Sequence, residues 1–174
     1  TVAFAERELL DDAGAYYSSL DADSEGEEGK FYVWSQTEVD SLITNPNHAK
    51  IFSEYYTIKS GGNWENSNIL YVTDDAEKIL RKNKINRAQL DEILQRYHPI
   101  LMAHRDTRVR PGTDDKVLTS WNGLMIDGLV EAHKAFGDQS YLDKAKRAMK
   151  FIQDKQVKKD GSLYRNYKDG KSAI

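Results

Sequence analysis

The sequence predicts a mainly α protein, an αα-hairpin array with short β-hairpin excursions, and three observations carry that reading. Apolar residues recur at helical spacing, most regularly as Leu90, Ile93, Leu94, Tyr97 and Leu101. Residues suited to cap helix starts, such as Ser35 with Glu38 and Asn86 with Gln89, stand just ahead of such runs. Between them lie polar stretches, and two of these, residues 21–34 and 108–122, combine charge with aromatic rings.

Taken in order, residues 1–10 read as the later turns of a helix, with Val2, Ala5, Leu9 and Leu10 on one face and turn chemistry at residues 11–14. The absence of an initiator Met agrees with a piece of something longer. Two β-prone stretches, residues 15–20 and 30–34, flank an acidic segment and predict a hairpin-like excursion. Ser35 and Glu38 form a capping box for a short helix to about Ile43, and Asn45-Pro46-Asn47 is read as ending it. A helix over residues 48–56 presents Ile51, Phe52 and Tyr55 on one side, and the stretch from Gly61 to Trp64 is irregular. Residues 68–72 suit a short extended segment. Asp74 with Glu77 can cap a helix to about Lys82, and Asn86 with Gln89 the next one, which Pro99 is expected to kink.

Pro111-Gly112 marks a loop before a helix with Met125, Ile126, Leu129, Val130 and Phe136 on its apolar stripe. Gly137-Asp138 ends it. Ser140 and Asp143 open the last helix, whose buried face is read as Tyr141, Leu142, Ala145, Ala148, Met149 and Ile152. Asp160-Gly161 and Asp169-Gly170 bracket an extended stretch and predict a small hairpin.

Composition narrows the function classes. A chain of 174 residues, 39% apolar and 30% charged, has a globular composition and length enough for a single packed core. Its formal net charge of −3 and the lack of a basic face argue against nucleic acid. Apolar runs fall far short of the roughly 20 residues that span a bilayer, so no membrane partner is expected. With no cysteine, disulfides and thiolate chemistry are excluded within these residues, which is compatible with a cytoplasmic setting. His48, His98, His104 and His133 share no metal-ligand spacing, and no P-loop, dinucleotide or Gly-x-Ser-x-Gly pattern occurs, so neither metal nor cofactor is expected.

The first polar loop holds Asp21, Asp23, Glu25, Glu27 and Glu28 beside Tyr32 and Trp34. Such crowded carboxylates are relieved by water, by a cation, or by one carboxyl keeping its proton and so becoming a general acid. The first half matches a calcium loop, with Asp21, Asp23, Glu25 and Gly26 at positions one, three, five and six, but Tyr32 stands where the bidentate Glu belongs. Asp21 and Asp23, two apart on an extended chain, would point the same way and offer one carboxyl pair. Two carboxyls facing one bond are the requirement of glycoside hydrolysis. In the second loop both signs of charge are interspersed from Arg105, Asp106 and Arg108 to Asp114, Asp115 and Lys116, and Trp121 and Asn122 sit at a helix start where a polyol or anion can bind. His104 is singled out because it precedes the arginine-rich turn. The plainer readings are a solvated acidic turn and a loop tied down by its own ion pairs.

Three ordered stretches, from Asp21 to Trp34, Gly62-Asn63-Trp64 with Asn68-Ile69-Leu70, and from Arg105 to Ile126, together resemble the spermatogenesis-associated protein 20 family. That resemblance spans nearly the whole chain. It implies a six-hairpin (α/α) toroid, similar to glycosidases and N-acylglucosamine 2-epimerases, attached to a thioredoxin-like domain that lies outside these residues. A full toroid needs about twelve helices, so the resemblance implies a partial ring that is inactive alone. Its partners would be the rest of the toroid, the thioredoxin-like domain and a carbohydrate ligand, with self-association through uncovered apolar helix faces.

Two functions follow as expectations. One is a carbohydrate-active domain, hydrolase or epimerase, with Asp21, Asp23, Asp114 or Asp115 as acid or base, and Arg105, Arg108, His104, Asn122 and the rings of Trp34, Trp64 and Trp121 contacting substrate. An epimerase would favour a histidine base. The other is a non-catalytic scaffold that binds a partner or positions the thioredoxin-like module, its charged loops held by internal pairs.

Overall fold

Helices occupy about half of the chain in the computed structural model, which describes residues 1–73 and 75–173. The elements run α1 (Val2–Glu8), β1 (Ser19–Leu20), β2 (Asp23–Ser24), β3 (Glu27–Glu28), α2 (Gln36–Leu42), α3 (Pro46–Tyr55), α4 (Ala76–Asn83), α5 (Arg87–Arg105), β4 (Thr113–Asp114), β5 (Val117–Leu118), α6 (Thr119–Phe136), α7 (Gln139–Lys155), β6 (Asn166–Lys168) and β7 (Lys171–Ala173). The mainly α expectation therefore holds. No helix among the described residues is long and apolar enough to cross a membrane. The chain divides into two units, Thr1–Asp21 with Gly112–Ile174, and Ala22–Pro111.

In the unit Ala22–Pro111, helices α2 to α5 bury a core that includes Val39, Ile43, Ile51, Phe52 and Leu90. All five residues of the α5 stripe read from the sequence are buried, and Pro99 stands inside that helix. Its start is a complete capping box: Asn86 accepts from the Gln89 N–H and Gln89 accepts from the Asn86 N–H, both at 2.9 Å. Asn45-Pro46 does not end a helix but begins one. Asn45 accepts from the N–H groups of Asn47 and His48, and Pro46 takes the first helical position, where a missing N–H costs nothing. The cap assigned to Asp74 lies outside the described residues; at the start of α4, Asp75 accepts from the Lys78 N–H at 2.9 Å.

The acidic segment is itself the hairpin. Strands β2 and β3 pair Asp23 with Glu28 and Ser24 with Glu27, and the turn residues Glu25 and Gly26 have φ of 54° and 78°. Two successive positive φ values define the tight turn whose twist suits a hairpin, and glycine makes the second one easy. Residues 30–34, read as a strand, instead form turns running up to α2, with only Trp34 bridged to Asn68. Buried Asn68 holds that bridge: its amide donates to the carbonyls of Trp34 and Lys59 and accepts from the Lys59 N–H. A Cβ on Gly62 would come within 2.5 Å of the Asn66 backbone, so only glycine fits this bend.

In the other unit, α6 and α7 pack as an αα-hairpin about left-handed Gly137, burying Leu129, Ala145 and Ala148 against Tyr16. Asp138, rather than Ser140, caps α7 by accepting from the Ser140 N–H. Phe151 joins its buried face, whereas Met149 is exposed, as is Phe136 at the end of the α6 stripe. Strand β6 pairs with both β5 and β7, and Asp169-Gly170 forms the turn of the predicted small hairpin. The stretch before Asn166 is largely irregular.

Candidate functional site

The ladder between β1 and β4 joins the beginning of the first polar loop to the second loop. Ser19 faces Asp114 and Leu20 faces Thr113, and the Asp21 N–H donates to the Gly112 carbonyl at 2.6 Å. Asp21 thus directly follows β1, whose Ser19 is paired with Asp114 of β4. The Lys116 ammonium contacts both Asp114 oxygens, at 2.9 and 3.0 Å. That contact, with help from Ser18, holds the Asp114 carboxyl below the usual carboxylate range. A carboxyl kept ionised suits a base or an anchor rather than an acid. Asp115 is paired with Lys168 at 2.7 Å.

Trp121 and Asn122 occupy the first turn of α6, and their fates differ. Trp121 is exposed. Asn122 is buried; its oxygen accepts from the Tyr16 N–H at 2.8 Å, and its amide donates to the carbonyls of Tyr16 and Leu118. Both of its donors and its acceptor are committed to backbone, so Asn122 is a structural tie and not a substrate contact.

In the unit Ala22–Pro111 the structure brings His104 and Arg108 onto Glu38, with Trp34 under Arg108 and Arg105 over the rings of Phe31 and Tyr32. One Arg108 nitrogen donates to the carbonyls of Phe31 and Val33, both at 2.8 Å, while another donates to Glu38 Oε1 at 2.7 Å. The Arg108 guanidinium lies 4.2 Å from the Trp34 ring centre, a cation–π stack. His104 Nε2 reaches the same Glu38 oxygen at 2.9 Å. Ser35 caps α2 through the Glu38 N–H as expected, but the Glu38 side chain goes to Arg108 and His104, a choice that local spacing could not reveal. Trp64 packs its ring against Gly29, where an added Cβ would lie 3.3 Å away. Asp23 lies in the first strand of the acidic hairpin.

Beside this knot runs a groove of about 470 Å³, walled by Tyr32, Trp34, Tyr56, His98, Leu101 and Arg105. Tyr56 and His98 share a 2.7 Å hydrogen bond. Burial pushes the His98 pKa down and the Tyr56 pKa up, so near neutral pH the imidazole is uncharged and the phenol keeps its proton. Arg105 lies over the rings of Phe31 and Tyr32, at 5.0 and 5.7 Å, and its Nε is buried without a hydrogen-bond partner. Tyr56 and His98 were missed by sequence reasoning. They are 42 residues apart, and no local pattern ties them.

This geometry belongs to a mainly helical protein with an aromatic-lined groove and charged loops that are largely paired internally. No protein-family model matches the chain. It is 30% identical over 175 residues to an uncharacterized protein of Caenorhabditis elegans, a match covering 88% of this chain and 24% of that protein. It is 25% identical over 173 residues to spermatogenesis-associated protein 20 of Homo sapiens, covering 86% of this chain and 22% of that protein. The Mus musculus form is 26% identical over the same share of each chain. The chain is homologous to a part of spermatogenesis-associated protein 20, as its motifs implied, and spans about a quarter of the length of these relatives.

Proposed function

We propose that this chain is a carbohydrate-active portion of a longer protein built as a glycosidase- or epimerase-like (α/α) toroid, with a thioredoxin-like domain elsewhere in it and a cytoplasmic setting. The observation that carries the reading is the groove, where Tyr32, Trp34 and Tyr56 flank uncharged His98 and the incompletely bonded Arg105. Aromatic walls suit the C–H faces of a sugar ring, Arg105 suits its hydroxyl or carboxylate groups, and a neutral imidazole can accept a proton as an epimerase requires. The pairing of β1, which Asp21 directly follows, with β4, which carries Asp114, is the complementary support for carboxylate chemistry. The test is a glycan panel presented to the longer protein, comparing the parent with Tyr32→Ala, His98→Gln, Asp23→Asn and Asp115→Asn. Saturable binding that weakens in Tyr32→Ala and His98→Gln is the expected result; no binding of any glycan overturns it. Loss in the two Asp variants would add the acidic loops to the site.

A second reading, the non-catalytic scaffold, draws on the committed charges: Arg108 on Glu38 and two carbonyls, Asp114 on Lys116, and Asp115 on Lys168. It predicts no glycan binding, together with losses of stability when these pairs are broken.

A further inference from the structure

A second cleft, of about 500 Å³, opens along α2 and α3 in the unit Ala22–Pro111. Several of its polar groups make no direct bond among the described residues, in contrast to those of the loops. Asp40 and Lys50 both line it and make no salt bridge with each other, and Lys50 acts on the Glu54 carboxylate only through its charge, without a direct bond among the described residues. Gln36 and Thr44, on the same wall, offer further hydrogen-bonding groups. Deepest is Ser53, only 7% exposed, whose hydroxyl has no partner among the described residues. A serine inside a helix commonly bonds the carbonyl four residues back, and a buried hydroxyl that bonds nothing is a standing cost. Glu54 also borders the cleft, but its carboxylate is taken by Lys82 at 2.6 Å and Asn83 at 2.8 Å. The apolar floor is Ile43, Ala49 and Ile58, all buried.

We infer that this cleft binds a small aliphatic zwitterion of the α-amino acid type. One anionic and one cationic side chain held apart on the rim match an ammonium and a carboxylate on a single small molecule. The apolar floor takes its aliphatic side chain, and the Ser53 hydroxyl gains a partner that no described residue supplies. A neutral polyol would gain from neither rim charge, and a purely anionic or cationic ligand from only one. The rim charges are solvent-exposed, so the affinity is modest, on the order of millimolar.

The test is a titration of the isotopically labelled chain with L-leucine, following backbone amide signals by NMR, with 3-methylbutylamine and 4-methylpentanoate as probes each lacking one charge. Expected are saturable shifts confined to α2, α3 and the residues around Ile58, and binding of either single-charge probe weaker by about tenfold. Asp40→Asn should weaken leucine about tenfold and leave 4-methylpentanoate unchanged; Lys50→Gln should do the same with 3-methylbutylamine as the indifferent probe. Ser53→Ala should weaken leucine severalfold while the remaining spectrum stays that of the parent. The inference is overturned by the absence of saturable shifts, by shifts elsewhere in the chain, by single-charge probes binding as well as leucine, or by unchanged leucine affinity in any of the three variants.

Discussion

Replacing Arg108 by lysine keeps the charge and removes the fork, and the structure allows the consequence to be worked out. Arg108 makes three charge-assisted bonds of 2.7–2.8 Å, two of them to the carbonyls of Phe31 and Val33, and lies over Trp34. A lysine ammonium can reach Glu38 or a carbonyl but cannot hold all three acceptors while lying flat on an indole. A hydrogen bond to a charged group contributes about 1.5–3 kcal/mol. The Glu38 pair, about one-quarter exposed on the carboxylate side, is discounted toward about 1 kcal/mol. Losing one carbonyl bond and the stack should therefore cost about 2–3 kcal/mol in Arg108→Lys, and Arg108→Ala about 3–5 kcal/mol, since both carbonyls are then stranded. Urea titrations read by hydrogen exchange of the α2 and α5 amides report this unit specifically, and a cycle with Glu38→Gln isolates the ion pair. If Arg108→Lys unfolds within about 0.5 kcal/mol of the parent, the fork is ornamental and the argument from its bonds is wrong.

Asn122→Ala strands the backbone N–H and C=O of Tyr16 in a buried setting, so stability of the unit that holds α6 and α7 should fall by about 2–4 kcal/mol in denaturant titration, with the Tyr16 amide losing exchange protection. Ser53→Ala should raise stability by about 1 kcal/mol in the absence of ligand, because it removes a buried hydroxyl that bonds nothing; a loss of similar size would mean that Ser53 is satisfied. Gly26→Ala should cost about 1 kcal/mol by strain alone, as its φ is 78° while an added Cβ meets nothing within 4 Å. For His98 the sign follows from burial, which lowers the folded pKa below the unfolded value of about 6.5. The unfolded state then binds more protons between the two pKa values, so stability is full above about pH 6.5 and falls as the pH drops toward the folded pKa. His98→Gln should flatten that part of the stability profile.

What could be read in the sequence was whatever depends on near neighbours along the chain. The α5 capping box joins residues three apart, its apolar stripe repeats every helical turn, and both are found as read. The hairpin was misplaced because β-propensity of the tyrosines and valines outweighed the turn chemistry of Glu25-Gly26, which sets the register locally. Asn45-Pro46 suits a helix stop and a helix start alike, an ambiguity that spacing alone does not resolve. The Glu38 side chain was assigned to its own helix start, whereas its partners His104 and Arg108 lie 66 and 70 residues away. Long-range polar choices of this kind decide the candidate site, and they leave no periodic trace.

These choices also change where function is to be sought. Density of charge singles out the two loops, yet Arg108, Asp114, Asp115 and buried Asn122 are already bonded to Glu38, Lys116, Lys168 and the backbone, and a ligand would have to displace those bonds before gaining its own. Groups with no internal answer are cheaper to recruit. They are Arg105 Nε beside the aromatic groove, and the Ser53 hydroxyl with Asp40 in the cleft along α2 and α3, where Lys50 stands near the already bonded Glu54. Neither set is dense in sequence, because a residue left unpaired by the fold is defined by what fails to reach it. If function resides in the loops, breaking their pairs should change activity with little loss of stability; if the loops are ties, the same substitutions should lower stability while ligand binding at the groove and the cleft survives in the fraction that stays folded.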